Sequence, residues 1–283
     1  MRLDKFLADM GVGSRSDLKK AIRKSLVTVN GAVEKDPGAQ VSAEDHICFD
    51  GAEIRYAEQQ YYMLHKPAGV LSASEDRRQT TVVDLINLND ELVRKDLFPV
   101  GRLDKDTEGL LIITNDGPLA HQLLVPKHHI DKTYYAIVTG TITEDDQRAF
   151  TRGIRYDEKL TALPATLRVL STGKTVADLR RELGFTATSE RLLRTRLAGP
   201  AFIGAEEPAD ITEDRLVSEV EITIQEGKFH QIKKMVKALP GGKEILYLRR
   251  ITMGALRLDP NLAPGEFRKL SEDEIRILKD ATN

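Results

Sequence analysis

The stretch from Val100 to Gly117 holds the residue types best suited to chemistry. It reads Val-Gly-Arg-Leu-Asp-Lys-Asp-Thr-Glu-Gly-Leu-Leu-Ile-Ile-Thr-Asn-Asp-Gly, so the carboxylate of Asp104 follows the cation Arg102 by two residues and directly precedes Lys105 and Asp106. Charged side chains between apolar strands are costly to bury unless they are paired or used in a reaction. The stretch therefore has two interpretations, a solvated charged turn or a carboxylate site.

A calcium loop is a third interpretation of the same residues. Such a loop needs acids at its first, third and fifth positions, a glycine at the sixth and a bidentate glutamate at the twelfth. The first four requirements are met, but the twelfth position is Asn115. Helices should also flank the loop, whereas residues 110–114 predict a strand. The calcium interpretation is therefore rejected.

Two later stretches bring further polar groups next to predicted elements. Tyr134 and Tyr135 begin an apolar strand, so their side chains should point to opposite faces. Beyond the turn at Glu226-Gly227, apolar residues spaced i, i+3, i+4 and i+7 predict a helix over 232–239 with Lys233 on its flank. The pair His128-His129 has no acidic or cysteine partner at ligand spacing, so no metal is expected.

The elements that must position these groups mix strands with helices. Apolar patterning predicts strands over 62–66, 110–114, 132–138, 220–224 and 246–254, and helices after Thr81, over 119–124 and after Thr143. Residues 174–215 follow with a predicted helix at 176–183 and an acidic run.

The N-terminal segment predicts a separate small module. Leu3, Phe6, Leu7 and Met10 have helical spacing, Ser14 is placed to cap a second helix, and 27–31 and 40–49 predict short strands. A polar linker over about 50–60 follows, and the boundary between domains is placed at 57/58. Few acids accompany the cations of this segment, which suits phosphate contacts: Arg2, Lys5, Arg15, Lys19, Lys20, Arg23.

Composition bounds the remaining possibilities. The chain has 283 residues, 41% of them apolar and 30% charged, with a net charge of -2 and a single cysteine. These values fit a soluble protein with a substantial core, and one cysteine suits a reducing compartment. No apolar signal region begins the chain and no long apolar run follows, so a cytoplasmic protein without a membrane span is expected.

Four motifs together resemble those of pseudouridine synthases. They are Gly-Arg-Leu-Asp with the following Thr, Gly-Leu-Leu and Asn-Asp-Gly; Lys-Pro-Xaa-Gly at 66–69; Lys-Xaa-Tyr at 132–134; and Glu-Gly-Lys-Phe-His-Gln-Ile-Lys at 226–233. The N-terminal segment resembles the S4 RNA-binding domain. The resemblance implies an α+β fold, with an S4-like module over 1–57 and a catalytic domain over 58–283 built on a mixed, largely antiparallel sheet flanked by helices. Residues 174–215 depart from the family pattern and are interpreted as an atypical insertion that could extend RNA contacts or pack on the domain.

The resemblance also assigns roles to individual residues. Asp104 is the expected catalytic carboxylate, acting at the sugar C1′ or C2′ or adding to the base, and Lys233 is expected to meet it and favour its ionised form. Tyr134 is expected to stack on the target base and Leu248 to line its pocket. Arg102 should fill the space left by the flipped base or hold a phosphate. Further RNA contacts are expected from Lys228 and His230.

The implied activity is isomerisation of a specific uridine in ribosomal RNA, which needs no cofactor because no redox change or added group is involved. The His-Gln pair at 230–231 and the His-His-Xaa-Xaa-Lys-Thr-Tyr string favour small-subunit rRNA, free or in a pre-ribosomal particle, as the partner of a monomer. Two alternatives stay open: a large-subunit rRNA synthase, and a non-catalytic S4-type RNA-binding or ribosome-assembly protein.

Overall fold

The computed structural model describes residues 1–54, 59–87, 96–158, 160–183 and 213–281. Within these ranges the strands form two sheets, a four-stranded one near the N-terminus and a nine-stranded one in the rest of the chain. Helices and strands are mixed in both parts, which confirms the predicted α+β class. No helix in the described ranges combines the length and the apolar character that crossing a membrane requires.

The N-terminal module packs two helices on its small sheet. The Ser14 hydroxyl accepts a hydrogen bond from the backbone N–H of Asp17 and so caps the second helix as predicted. Leu3, Phe6 and Ile22 are among the fully buried side chains of its core. The elements are α1 (Leu3–Asp9), α2 (Arg15–Arg23), β1 (Val27–Val29), β2 (Ala32–Val33), β3 (Ile47–Phe49) and β4 (Ala52–Ile54).

Strand β4 corrects the expectation of a linker over 50–60. Its three residues pair antiparallel with β3, so the small sheet continues to Ile54. The connecting turn uses Asp50 and Gly51, both with positive φ, a conformation that glycine and aspartate tolerate better than most residues. A strand of three residues is too short to show a clear period, which explains why the sequence suggested a linker.

The larger sheet has the strand order β13-β5-β7-β11-β8-β10-β9, with β12 paired to β11 and β6 paired to β7. All of these pairings are antiparallel except that of β7 with β11, so the sheet is mixed and largely antiparallel, as predicted. The strands are β5 (Tyr61–Lys66), β6 (Phe98–Pro99), β7 (Glu108–Thr114), β8 (Lys132–Thr139), β9 (Thr166–Thr175), β10 (Leu216–Ile224), β11 (Ile245–Met253), β12 (Leu256–Arg257) and β13 (Phe267–Lys269).

Helices cover both faces of this sheet. On one face the core includes Tyr134, Leu248 and Ile232, while Tyr135 packs against a separate cluster, so the two tyrosines separate as predicted. Capping boxes begin two of the helices, at Thr143 and Ser271. The helices are α3 (Val82–Asn87), α4 (Gly117–Leu124), α5 (Glu144–Arg152), α6 (Val176–Leu183), α7 (Gln231–Lys237) and α8 (Glu272–Asp280).

The described part of the 174–215 stretch belongs to the sheet and to a helix that packs on it. Lys174 and Thr175 end β9 in register with β10, and Lys174 forms an ion pair with Glu219. Helix α6 buries Val176 and Leu179 against the sheet. The first ten residues of this stretch therefore pack on the domain. Residues 184–212, the larger part of the predicted insertion, lie outside the described residues.

Gly109 allows the parallel strands β7 and β11 to approach each other. Its φ is +108°, and a Cβ built there would lie 2.2 Å from the backbone oxygen of Arg250 and 2.6 Å from its nitrogen. No side chain can relax such a clash, because both atoms belong to the neighbouring strand. This explains the glycine of Gly-Leu-Leu in packing terms.

Gly109→Ala should therefore lower the free energy of unfolding by about 2–5 kcal/mol, through left-handed strain and displacement of β11. Gly117→Ala is the matched control, since no atom of the described residues lies within 4 Å of its Cβ position and it begins a helix. Its effect should stay within about 1 kcal/mol. Equal urea midpoints for Gly109→Ala and the wild type would contradict this explanation.

Candidate active site

An open cleft of about 400 Å³ lies beside the ends of β7 and α7. Seven of the residues singled out in the sequence line it: Arg102, Asp104, Tyr134, Lys228, His230, Lys233 and Leu248. They come from four separate segments of the chain, which only the folded sheet brings together.

Lys233 joins two carboxylates at the floor of this cleft. Its Nζ lies 3.1 Å from Oδ2 of Asp104 and 2.6 Å from Oδ1 of Asp106. The side chain of Asp104 keeps 24% of its surface exposed and lines the cleft, whereas that of Asp106 keeps only 8% and does not. The two acids thus share one cation, but only Asp104 can meet a molecule bound in the cleft.

The loop that carries these acids is held from its other side by the segment 66–72. The N–H of Gly69 donates to the carbonyl of Lys105 at 2.7 Å. The hydroxyl of Ser72 donates to the carbonyl of Leu103 at 2.8 Å and accepts from the N–H of Leu103 at 3.1 Å. Backbone groups at 103 and 105 are thereby fixed, while the side chains at 104 and 106 point to Lys233.

Lys66 completes this support with a fully buried ammonium group. Its Nζ donates to three carbonyls, those of Pro67, Lys105 and Thr107, at 3.0, 3.2 and 3.0 Å. Burial lowers the pKa of Lys66 to about 8, although the surrounding carboxylates, Asp106 foremost, act in the opposite direction. A buried cation is tolerated here because each of its donors has an acceptor.

The opposite wall of the cleft is the turn that leads into α7. The side-chain amide of Gln231 donates to Glu226 at 2.6 Å, and its oxygen accepts from the N–H of Lys228 at 2.9 Å. Glu226 also accepts from the N–H of Leu163 and pairs with the ammonium of Lys228. The Glu-Gly-Lys-Phe-His-Gln string is therefore a rigid turn that presents Lys228 and His230 to the cleft.

Tyr134 and Leu248 form the apolar side of the cleft. They lie on the neighbouring strands β8 and β11 and keep 7% and 5% of their surface exposed. Arg102 is exposed at the cleft's edge, and Nε2 of His230 lies 3.7 Å from Oδ1 of Asp104. A flat apolar pocket beside a charged pair suits a planar heterocycle attached to a polar sugar.

The other histidines singled out in the sequence take no part in this arrangement. Nδ1 of His129 contacts the side chain of Gln225 at 3.1 Å, outside the cleft. Nowhere in the described ranges are three His, Cys, Asp or Glu side chains grouped so that they could hold a metal ion.

The basic residues of the N-terminal module differ from the expectation of cations with few acidic neighbours. Asp4, whose side chain is fully buried, lies 3.0 Å from Nε of Arg2, 3.3 Å from NH2 of Arg15 and 3.9 Å from Nζ of Lys19. Three of the six RNA-contacting cations proposed in this module therefore converge on one carboxylate. Their own side chains remain about half exposed, so phosphate can still reach them.

Two more of the six cations are paired locally, Lys5 with Asp9 and Lys20 with Asp17, and Arg23 is exposed at the end of α2. The local pairs are exposed and are worth little in stability. The module thus offers a basic surface that is more ordered and less charged than a count of its lysines and arginines suggests.

Sequence reasoning missed three residues that organise these sites: Lys66, Ser72 and Asp4. Lys66 stood in the recognised Lys-Pro-Xaa-Gly string, but its ammonium donates to loop residues about forty positions away, which no local pattern reveals. In the sequence, Asp4 is only one of the few acidic residues of the N-terminal segment. The one available signal for Lys66 is its place at the end of a largely apolar strand, Tyr-Tyr-Met-Leu-His-Lys.

Comparison with known proteins finds a matching family for each of the two parts of the chain. The family described as RNA pseudouridylate synthase matches residues 60–238, and the S4 domain matches residues 1–47. An uncharacterized RNA pseudouridine synthase of Bacillus subtilis is 38% identical over 99% of both chains. A small-subunit pseudouridine synthase A of Pasteurella multocida is 34% identical, covering 97% of this chain and 98% of the relative.

Two further similarities bear on target and fold. A large-subunit pseudouridine synthase B of Bacillus subtilis is 33% identical over 98% of this chain and 95% of its own. The crystal structure of a pseudouridylate synthase aligns with a TM-score of 0.57 at 32% identity, covering 98% and 99% of the two chains. The family resemblance, the S4 domain and the α+β fold are thereby confirmed.

Asp4 provides a pH test of the N-terminal module. Its hydrogen bond with Arg2 lowers the pKa of Asp4 to about 2 from an ordinary 3.8, against the opposing effect of burial. A depressed carboxyl pKa stabilises the folded state above pH 4, and this contribution is lost as the pH falls from about 4 to about 2. Asp4→Asn should remove it, destabilising residues 1–54 by about 1–3 kcal/mol at pH 7.

Hydrogen exchange of peptides from residues 1–54 in the full chain measures this effect. The variant should be less protected than the wild type at pH 7, and the difference should shrink toward pH 2. Asp9→Asn, which breaks only the local pair with Lys5, is the matched control and should change little. Equal protection of Asp4→Asn and the wild type at pH 7 would contradict the role given to Asp4.

Proposed function

The chain belongs to the RNA pseudouridylate synthase family, and we propose that it isomerises a specific uridine of small-subunit ribosomal RNA in the cytoplasm, with Asp104 as its catalytic carboxylate. The observation that carries this proposal is the asymmetry of the two acids around Lys233. The side chain of Asp104 is partly exposed in the cleft that Tyr134 and Leu248 also line. The side chain of Asp106 is nearly covered and pairs with the same lysine outside the cleft lining.

The reaction needs one ionised carboxylate and no external reagent. The bond between C1′ of the ribose and N1 of the base breaks, the base turns, and a bond from C1′ to C5 forms. C5 then loses its proton and N1 gains one, so atoms and charge balance without a cofactor. Attack at C1′, proton removal at C2′ and addition to the base all use the carboxylate of Asp104, which the ammonium of Lys233 holds in an ion pair at 3.1 Å.

The base must leave its stack to reach the cleft. Tyr134 provides a ring on which a flipped uracil can stack, and Leu248 closes the same apolar side. Stacking on an aromatic residue contributes about 1–3 kcal/mol, enough to offset much of the cost of unstacking one nucleotide. Arg102, exposed at the rim, can hold a backbone phosphate or occupy the space that the base has left.

The two proposed domains divide binding and chemistry between them. Residues 1–57 supply phosphate contacts through Arg2, Arg15, Lys19 and Arg23, which carry no sequence information in themselves. Residues 58–283 supply the catalytic cleft. Since phosphate contacts are largely blind to sequence, the shape of the RNA presented to both domains would select the uridine.

The sequence strings around His129 and His230 favour small-subunit RNA over large-subunit RNA. Sequence identity does not separate the two targets, because relatives named for either subunit are similarly identical to the chain. The non-catalytic alternative is disfavoured, because the residues proposed for the reaction, Asp104, Tyr134 and Lys233, all line one cleft. Target and activity can therefore be tested separately.

The target is tested by mapping pseudouridines in ribosomal RNA from cells in which the gene is deleted, using carbodiimide modification and primer extension. The proposal predicts loss of at least one pseudouridine from small-subunit RNA, restored by the wild-type gene. A loss confined to large-subunit RNA would establish the alternative target. Unchanged modification in both RNAs would contradict the proposed function.

Lys233→Met tests the ion pair. It should slow single-turnover tritium release from RNA labelled at C5 of uridine by about 100-fold or more, because Asp104 loses its counter-charge. RNA affinity should change little, since the ammonium of Lys233 is already paired with two carboxylates. Lys233→Arg keeps the cation and should retain part of the rate. Near wild-type turnover by Lys233→Met would refute this role.

A further inference from the structure

Phe229 is the most exposed of the large hydrophobic side chains in the described part of the chain, with 71% of its surface accessible. It lies in the turn before α7, directly before His230, which lines the cleft. Single exposed apolar residues are common and need no explanation by themselves. Two further features distinguish Phe229, the way its ring is held and the backbone next to it.

The Phe229 ring is fixed by its neighbours although it faces solvent. It stacks on the imidazole of His230, with ring centroids 3.8 Å apart and planes at 19°. The ammonium of Lys234 lies 5.7 Å from its centroid, within the range of a cation–π contact. An aromatic side chain held in one orientation loses less entropy when a ligand stacks on it.

The backbone at His230 adopts a left-handed conformation with φ +52°. A residue with a Cβ adopts this region at a cost, and such outliers concentrate at functional sites. Here the conformation lets consecutive aromatic side chains stack while His230 reaches into the cleft and Phe229 stays at the rim. The hydrogen bonds of Gln231 within the same turn maintain the arrangement.

We propose that Phe229, backed by His230, is a stacking platform for an unpaired nucleobase of the substrate RNA, next to the uridine that enters the cleft. This inference rests on the proposed function and adds a positioning site to it. The exposed ring offers a π-face, and Lys228 and Lys234 beside it supply positive charge for the connecting phosphates. Unpaired bases stack on such aromatic residues whatever their sequence.

The charge around Phe229 favours RNA over a protein partner as its occupant. The cation of Lys234 near the ring and the exposed Lys228 next to it in the chain match a polyanion that carries flat bases, whereas an apolar protein surface would have to desolvate these cations. The ring also continues directly from the cleft through His230, so a strand that delivers its uridine to Asp104 passes within reach of it.

Phe229→Ala and Phe229→Tyr test the platform, with Leu170→Ala as an exposed apolar control outside the cleft lining. Filter binding of small-subunit rRNA transcript should show affinity about 5- to 140-fold weaker for Phe229→Ala, and near wild-type affinity for Phe229→Tyr and Leu170→Ala. Thermal unfolding should be unchanged, because the truncated ring is exposed.

Salt dependence separates stacking from a structural or electrostatic effect. Phe229→Ala should leave the slope of log K against log salt unchanged, whereas Lys228→Gln should reduce it by about 0.7, as expected for one lost phosphate contact. A shallower slope for Phe229→Ala, or unchanged affinity, would overturn the platform.

Tritium release measured on the same variants distinguishes failure of the platform from failure of the proposed function. If the wild type turns over and Phe229→Ala binds and reacts normally, the platform is wrong and the function stands. If the wild type releases no tritium but Phe229→Ala still loses affinity at constant salt slope, the stacking site stands and the proposed reaction on small-subunit RNA fails.

Discussion

The geometry of the cleft depends on two ammonium groups that hold one short loop from opposite sides. Lys66, fully buried, satisfies backbone carbonyls on the inner side, and Lys233 joins the carboxylates of Asp104 and Asp106 on the outer side. Hydrogen bonds fix the backbone at positions 103, 105 and 107, and ion pairs fix the side chains at 104 and 106. The loop therefore cannot rotate without breaking both sets of contacts. A reactive carboxylate held in this way loses little freedom when substrate arrives, which is a main source of catalytic power.

The same principle of pairing organises the surfaces that are proposed to contact RNA. Asp4 gathers Arg2, Arg15 and Lys19, so the N-terminal module presents ordered rather than freely moving cations. Glu226 anchors Lys228 and, through Gln231, the whole turn into α7. Cations positioned in advance lose less side-chain entropy on binding, which compensates in part for the positive charge that their acidic partners neutralise.

Much of this architecture could be predicted from the sequence, because the strands and helices around the cleft have clear periods and the motif residues are specific. The separation of Tyr134 from Tyr135 and the Ser14 cap followed from local patterns, whereas the meeting of Asp104 with Lys233 followed from the family resemblance. Lys66 and Asp4 could not be predicted in their roles, since both act on partners that only the folded chain brings near. The short strand β4 was missed because three residues carry too little periodicity.

The most direct test compares Asp104→Asn with Asp106→Asn in tritium release from small-subunit rRNA labelled at C5 of uridine. Each substitution removes one of the two carboxylates that pair with Lys233, and both lie in the same loop, but only Asp104 lines the cleft. The account predicts no detectable release by Asp104→Asn, with RNA binding intact, and slowed but measurable release by Asp106→Asn. Turnover by Asp104→Asn comparable to that of Asp106→Asn would contradict it.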